Sequence, residues 1–177
     1  MTIELKKLKH YTALSDETNA FSAELYVDGV KIAECRNDGR GGNTSISAFP
    51  GMSRTIDLAE KWCDKLPGIP AEFGDKKDIP MDLELYVDEI VGKDLEAKEI
   101  KRGIAQLERN AKKMWILISK KTLEDFKSGV SPELKYRTFG GATPAFVMEK
   151  QGKEKFESVK QHIAKMAKGD EFVYVAQ

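Results

Sequence analysis

A chain of 177 residues carrying 29 basic and 29 acidic side chains has no formal net charge, which disfavours a dominant non-specific nucleic-acid binder and equally an acidic mimic of DNA. With 41% hydrophobic and 33% charged residues it reads as a globular chain that can bury a real core, expected as a single domain over residues 1–177. No apolar run approaches the roughly 18 residues of a membrane span, and MTIELKKLKHY lacks the apolar core and cleavage site of a secretory signal. The expected compartment is therefore the cytoplasm, with no membrane partner.

Along the chain, Ile3, Leu5 and Leu8 point to a first strand, blurred by Lys6, Lys7 and Lys9. The polar cluster Ser15-Asp16-Glu17-Thr18-Asn19 then leads into a hairpin over Phe21 to Asp38, where Asp28-Gly29 supplies the positive φ that a type I′ turn needs. Phe21, Ala23, Leu25 and Val27 share one face by the period of two, with Ser22, Glu24 and Tyr26 on the other. On the return strand Val30 and Ile32 face with the apolar set. Ala33 and Cys35 fall on the opposite parity, which calls for a bulge near Ile32 or burial on both faces. Thr44 to Phe49 follows as a further strand, ended by Pro50-Gly51. Ser53 is the expected N-cap of a helix over Arg54 to Lys65, buried along Ile56, Ala59, Cys63 and Leu66.

Pro67 to Pro70 and Gly74 to Asp78 form the longest connector. Asp78 is the expected cap of a second helix with Pro80 in its first turn and Leu83, Val87, Ile90 and Val91 inward; Gly92 is expected to end it. A third helix is expected from about Asp94 to Lys112 along Ile100, Ile104, Leu107 and Ala111. Met114 to Ile118 is a continuous apolar run, expected as a central strand buried on both faces. The remainder is a loop or short-strand region over Lys120 to Met148, a helix over Lys153 to Ala167 with Phe156, Val159, Ile163 and Met166 inward, and a last strand Phe172 to Val175. Together these give an α+β fold, a mixed or mainly antiparallel sheet built on the N-terminal hairpin with three to four helices on one face.

The segment whose residue types imply a special backbone is Asn37-Asp38-Gly39-Arg40-Gly41-Gly42-Asn43, followed by Thr44 and Ser45. Three residues without Cβ let successive N–H groups converge on an anion, with Arg40, Thr44 and Ser45 donating from their side chains. It is not a Walker A loop, since no GK[ST] follows. The dinucleotide fingerprint is also incomplete, because Thr44 stands at its third glycine and a strand follows. A wide turn with a bulge is the plainer alternative. A second candidate loop, Arg137, Thr138, Gly140 and Gly141 after Tyr136, repeats the combination and would face the first if the ends of one sheet meet.

Other constellations are thinner. His10 and His162 are the only histidines, which excludes a multi-histidine metal site within one chain, and no cofactor or metal is expected. Cys35 and Cys63 form no CxxC pair and read as buried apolar residues. His10, Tyr11, Ser15 and Asp16 contain nucleophile-site residue types without the small-residue elbow that exposes a catalytic serine. Glu84 and Asp88 lie on one helical face and can do acid–base work or simply be solvated. Trp62 and Trp115 suit core anchoring more than base stacking. Residues 70–99 are acid-rich, whereas 100–121 carry Lys101, Arg102, Arg109, Lys112, Lys113, Lys120 and Lys121 against Glu108 alone. That is either a pair of solvated helix faces or a basic edge able to meet phosphates.

The order ALSDET, FSAELYVDGVKIAECRNDGRGG, an acidic helical middle and MWILI resembles uncharacterised small accessory proteins of bacteriophages and mobile elements. Ser15, Glu17, Thr18, Phe21, Gly29, Asn37, Gly39, Gly41 and Gly42 carry the likeness. It implies a setting in host takeover or counter-defence and no assigned activity, so no catalytic residue is carried over. The leading expectation is a non-enzymatic binding protein, holding a nucleotide-like or other anionic ligand at Asn37 to Ser45 with Arg40 as the charged anchor. The alternatives are an inhibitor that occludes a host protein or nucleic-acid machine through the polarised helices, and a nucleotide-processing hydrolase using Glu84, Asp88 or Glu17.

Overall fold

The computed structural model describes residues 1–70 and 78–176. Its contacts divide the chain into two compact units, Met1–Leu95 and Glu96–Gln177.

The first unit is an antiparallel sheet of order β1-β2-β3-β4, formed by β1 (Ile3–His10), β2 (Phe21–Val27), β3 (Val30–Asn37) and β4 (Ser45–Ala48). Its origin is the expected hairpin, with Asp28 at φ 47° and Gly29 at φ 82° making a turn that bends with the strand twist. The parity conflict on β3 is resolved by a bulge: Tyr26 pairs with Lys31 and Leu25 with Ala33, leaving Ile32 as the extra residue. Ile32, Ala33 and Cys35 are therefore all buried, whereas Val30, expected inward, is 54% exposed beside the turn. A second irregularity, between Lys6 and Lys9, puts Lys7 at φ 52° and kinks the lysine-rich β1 edge.

The apolar face of this sheet is covered by α1 (Ser53–Cys63) and the start of α2 (Leu83–Lys113). Phe21, Leu25, Ile32 and Cys35 meet Ala59, Cys63, Leu83, Val87 and Val91 in one core. Burial pushes the Cys35 and Cys63 thiols up to about 12 and about 11. Three helix boundaries differ from expectation. Ser53 is the first helical residue, not the cap: the N–H groups of Thr55 and Ile56 already bond the Met52 carbonyl, because the Pro50-Gly51 turn delivers the chain one residue early. Asp78 does not cap the second helix, because Ile79 pairs with Ile69 in an antiparallel bridge and holds it extended. Asp82 caps instead, its Oδ1 accepting from Leu85 N–H at 2.7 Å, with Glu60 Oε2 accepting from Leu83 N–H at 2.9 Å. Finally, α2 runs through Gly92 as one helix of 31 residues, so the two expected helices are one. A glycine there costs about 1 kcal/mol, less than flanking helix formers and a buried stripe return. Residues 74–77 of the expected connector lie outside the described residues.

The second unit holds the rest of α2 and a three-stranded antiparallel sheet, β6-β5-β7, of β5 (Trp115–Ser119), β6 (Arg137–Phe139) and β7 (Glu171–Tyr174). β5 is the expected central strand. Trp115 and Leu117 pack with Val147, Phe156 and Ile163, and Ile116 and Ile118 pack on the other face with Leu107, Ala111 and Leu123, which explains the unbroken apolar run. The region expected as loop or short strand, which holds β6, also contains α3 (Lys120–Lys127), capped by Ser119, whose Oγ accepts from Thr122 N–H at 3.2 Å. It also holds the short α4 (Pro144–Phe146), leading through a π turn into α5 (Gly152–Ala164). Phe156 and Ile163 are buried as expected, but Met166 lies past the end of α5 and is 40% exposed.

Candidate functional site

The glycine loop between β3 and β4 is closed on itself. Asn37 is 5% exposed, and its carboxamide satisfies all four of its bonds within the protein. Oδ1 accepts from Gly39 N–H at 2.8 Å and from the Thr18 hydroxyl at 2.9 Å; Nδ2 donates to Gly42 O at 3.0 Å and Thr44 Oγ1 at 3.1 Å. Thr44, 2% exposed, passes the chain of bonds on to Asp88 Oδ1 at 2.6 Å. From the other side, the N–H groups of Asp16, Glu17 and Thr18 converge on the Gly39 carbonyl.

This clasp explains the glycines. At Gly39, φ is +85° and a Cβ would stand 2.2 Å from Leu14 O; at Gly41, φ is +79° and it would stand 2.1 Å from Glu17 Oε2. Gly42 has open space around it. The loop's donors are also engaged: Gly39 N–H with Asn37, Arg40 N–H with Asp38 Oδ1 at 3.2 Å, and Gly41 N–H with Thr18 Oγ1 at 3.3 Å. Of the donors expected to meet an anion, those of Gly39, Arg40 and Gly41 thus meet the protein's own oxygens. Glu17, Thr18, Asn37, Gly39, Gly41 and Gly42 all meet in this one clasp. Asn43 and Ser45 are exposed at its outer end.

The clasp forms one end of a concavity of about 760 Å³ on the polar face of the sheet. Register builds its floor: Lys9 pairs with Ser22, Ser22 with Arg36, and Arg36 with Ser45, a single row across four strands at about 4.8 Å spacing. One step along, Glu24 is bridged by Lys7 and Lys31, each at 2.9 Å, and their hydrogen bonds, Lys31's foremost, hold its carboxyl down at about 2. Glu34, on the same face, stands 3.9 Å from Lys31 Nζ. Lys9, Arg36 and Arg40 line the groove and make no ion pair among the described residues, whereas Asp38 gives one oxygen to the loop backbone. Arg40 was legible as an anchor; Lys9 and Arg36 were not singled out, although a bulge at Ile32 already puts Arg36 opposite Ser22.

The other candidates separate. Arg137 Nε donates to Glu171 Oε1 at 3.0 Å, and its terminal nitrogen to Glu171 Oε2 and to Met166 O, so its fork is used within the second unit. Thr138, Gly140 and Gly141 are exposed beside it, and the two loops belong to different sheets. His10 Nε2 lies 2.7 Å from Asp94 Oδ2, while Ser15 Oγ accepts from Ala20 N–H at 2.9 Å, so no serine–histidine pair assembles. Burial raises the carboxyl pKa values of Glu84 and Asp88, the Thr44 bond opposing it at Asp88; neither lines the groove. Trp62 packs edge-on to Tyr86 and Trp115 against Phe156, as core anchors. No helix of the described residues is long and apolar enough to cross a membrane, and no group of three or more metal-ligating side chains occurs among them. No family model, curated protein or solved structure matches the chain.

Proposed function

We propose that this is a binding protein for a phosphate-bearing or similarly anionic ligand, held on the polar face of the first sheet between the β1–β3 floor and the Asn37–Ser45 clasp. The observation that carries the reading is the set of three cations, Lys9, Arg36 and Arg40, which line one concavity, shared with Glu34 and Asp38, and make no ion pair among the described residues. Nearby Lys7 and Lys31 share the one Glu24 carboxylate, whereas Lys9, Arg36 and Arg40 make no ion pair among the described residues and keep charge in reserve for a ligand. The loop's part is to position Arg40 and close the end of the groove, while the N–H groups of Gly39, Arg40 and Gly41 are taken up within the protein. The phage-protein likeness would place such a protein among small accessory factors of mobile elements, without adding a mechanism.

A thermal-shift screen of the whole chain against phosphate, pyrophosphate, nucleotides and dinucleotides tests this. A ligand that binds only the folded state raises Tm by mass action. The shift should disappear in Arg36→Ala and shrink in Arg40→Ala; a shift that survives both places the ligand elsewhere. A second reading, inhibition of a protein partner, is favoured by Lys101, Arg102, Lys112 and Lys113, all exposed and without ion pairs among the described residues. Under that reading Lys112→Glu with Lys113→Glu abolishes capture of the partner and Arg36→Ala does not.

A further inference from the structure

The groove contains two surfaces that an inorganic anion would leave unused. Tyr11, 42% exposed, and Leu14, 61% exposed, both line it, beside Arg36 and Arg40. Single exposed apolar side chains are ordinary on a protein surface, but two within one concavity with three cations unpaired among the described residues make a mixed chemistry. The Tyr11 ring is also fixed before any ligand arrives. Its backbone N–H donates to Ala20 O at 2.9 Å, and its hydroxyl shares a 3.0 Å bond with Ser22 Oγ, the central residue of the Lys9–Ser22–Arg36 row. Leu14 is held by its N–H on Tyr11 O at 2.8 Å, and its carbonyl abuts Gly39. A preorganised ring and an aliphatic side chain next to cations suit one molecule that combines a flat apolar ring with an anionic group.

We infer that the ligand is a nucleoside phosphate, its base against Tyr11 and Leu14 and its phosphates on Arg36, Arg40 and Lys9. This rests on the anion-binding reading of the groove and adds the base subsite. The volume of about 760 Å³ lies in the roughly 300–1,000 Å³ range of small-ligand sites, which favours a free nucleotide over a strand.

The test is calorimetric titration of the whole chain with the four nucleoside triphosphates, inorganic tripolyphosphate and a hexathymidylate. At least one nucleoside triphosphate should bind about tenfold or more tighter than tripolyphosphate, the scale of one base stack. Tyr11→Ala should erase that advantage and leave tripolyphosphate binding unchanged, and Leu14→Ser should reduce it. Tyr11→Phe, which keeps the ring, should retain it. Arg36→Ala should weaken both ligands. If every nucleotide and tripolyphosphate bind equally and both depend on Arg36, the base subsite is refuted while the anion site stands. If neither binds, both readings fall. If the hexathymidylate binds tenfold tighter than any nucleotide, the occupant is a strand and the inference is overturned.

Discussion

Replacing Asn37 by alanine removes the centre of the clasp, and its cost can be worked bond by bond. Of the four partners of its carboxamide, the Thr18 hydroxyl can turn to water, the Gly42 carbonyl lies on an exposed residue, and Thr44 keeps its donation to Asp88. Each of these losses costs about 0.5–1 kcal/mol. Gly39 N–H differs, because Gly39 is buried beneath Leu14 and Ala20; an unsatisfied donor there costs about 1–3 kcal/mol. The sum is about 2.5–6 kcal/mol. Urea unfolding followed by tryptophan fluorescence and circular dichroism should register it as a midpoint lower by about 1–3 M, taking a slope of about 2 kcal/mol/M. Hydrogen exchange should accelerate at the amides of residues 16–18, whose shared acceptor is the Gly39 carbonyl. A midpoint change below about 0.5 M, with those amides still protected, would refute the account of the clasp.

The glycines should rank in the order their surroundings dictate. Gly39→Ala meets a backbone carbonyl at a positive φ and should cost the most, about 2 kcal/mol or more. Gly41→Ala meets only the movable end of Glu17 and should cost about 1 kcal/mol, and Gly42→Ala should be neutral by the same urea assay; a severe Gly42→Ala would point to a role for that position beyond the clasp. Gly92→Ala, in open space within α2, should stabilise by about 0.5–1 kcal/mol in thermal melts, and a loss would show that the helix needs the glycine. Asp88→Asn keeps an acceptor for Thr44. Because burial raises the folded-state pKa of Asp88, the native state binds the proton more tightly, and stability falls as pH rises from the unfolded value through the raised one. The asparagine variant should therefore melt higher than wild type at pH 7, with the difference fading on acidification below about pH 4. A constant difference across that range would mean that Asp88 does not titrate with folding.

Local rules made much of this fold legible, and it became illegible where a distant residue decides. Asp28-Gly29 specified the hairpin because its turn is a two-residue property, and the parity conflict at Ala33 and Cys35 announced the bulge. Met114 to Ile118 announced a strand covered on both sides, which two separate clusters supply. By contrast, Gly92 was a local breaker overruled by the stripe of Leu83, Val87 and Val91 on one side and Leu107 and Ala111 on the other. Asp78 lost the cap to Asp82 because Ile69 reaches across to Ile79. The site shows the same division. Asn37 and its glycines stand out in the sequence for their backbone demands, yet those demands serve the clasp with Thr18 and Glu17. Lys9 and Arg36 are ordinary strand residues until register places them in one row.

The central claim is that the cationic row on the polar sheet face binds an anion, and calorimetric titration of tripolyphosphate into wild type and an Arg36→Ala, Arg40→Ala double variant at low ionic strength tests it most directly. The account predicts saturable one-site binding to wild type, weakened at least tenfold in a double variant whose circular dichroism is unchanged, and falling with added salt. Equal binding by both proteins, or no binding by wild type, would contradict it.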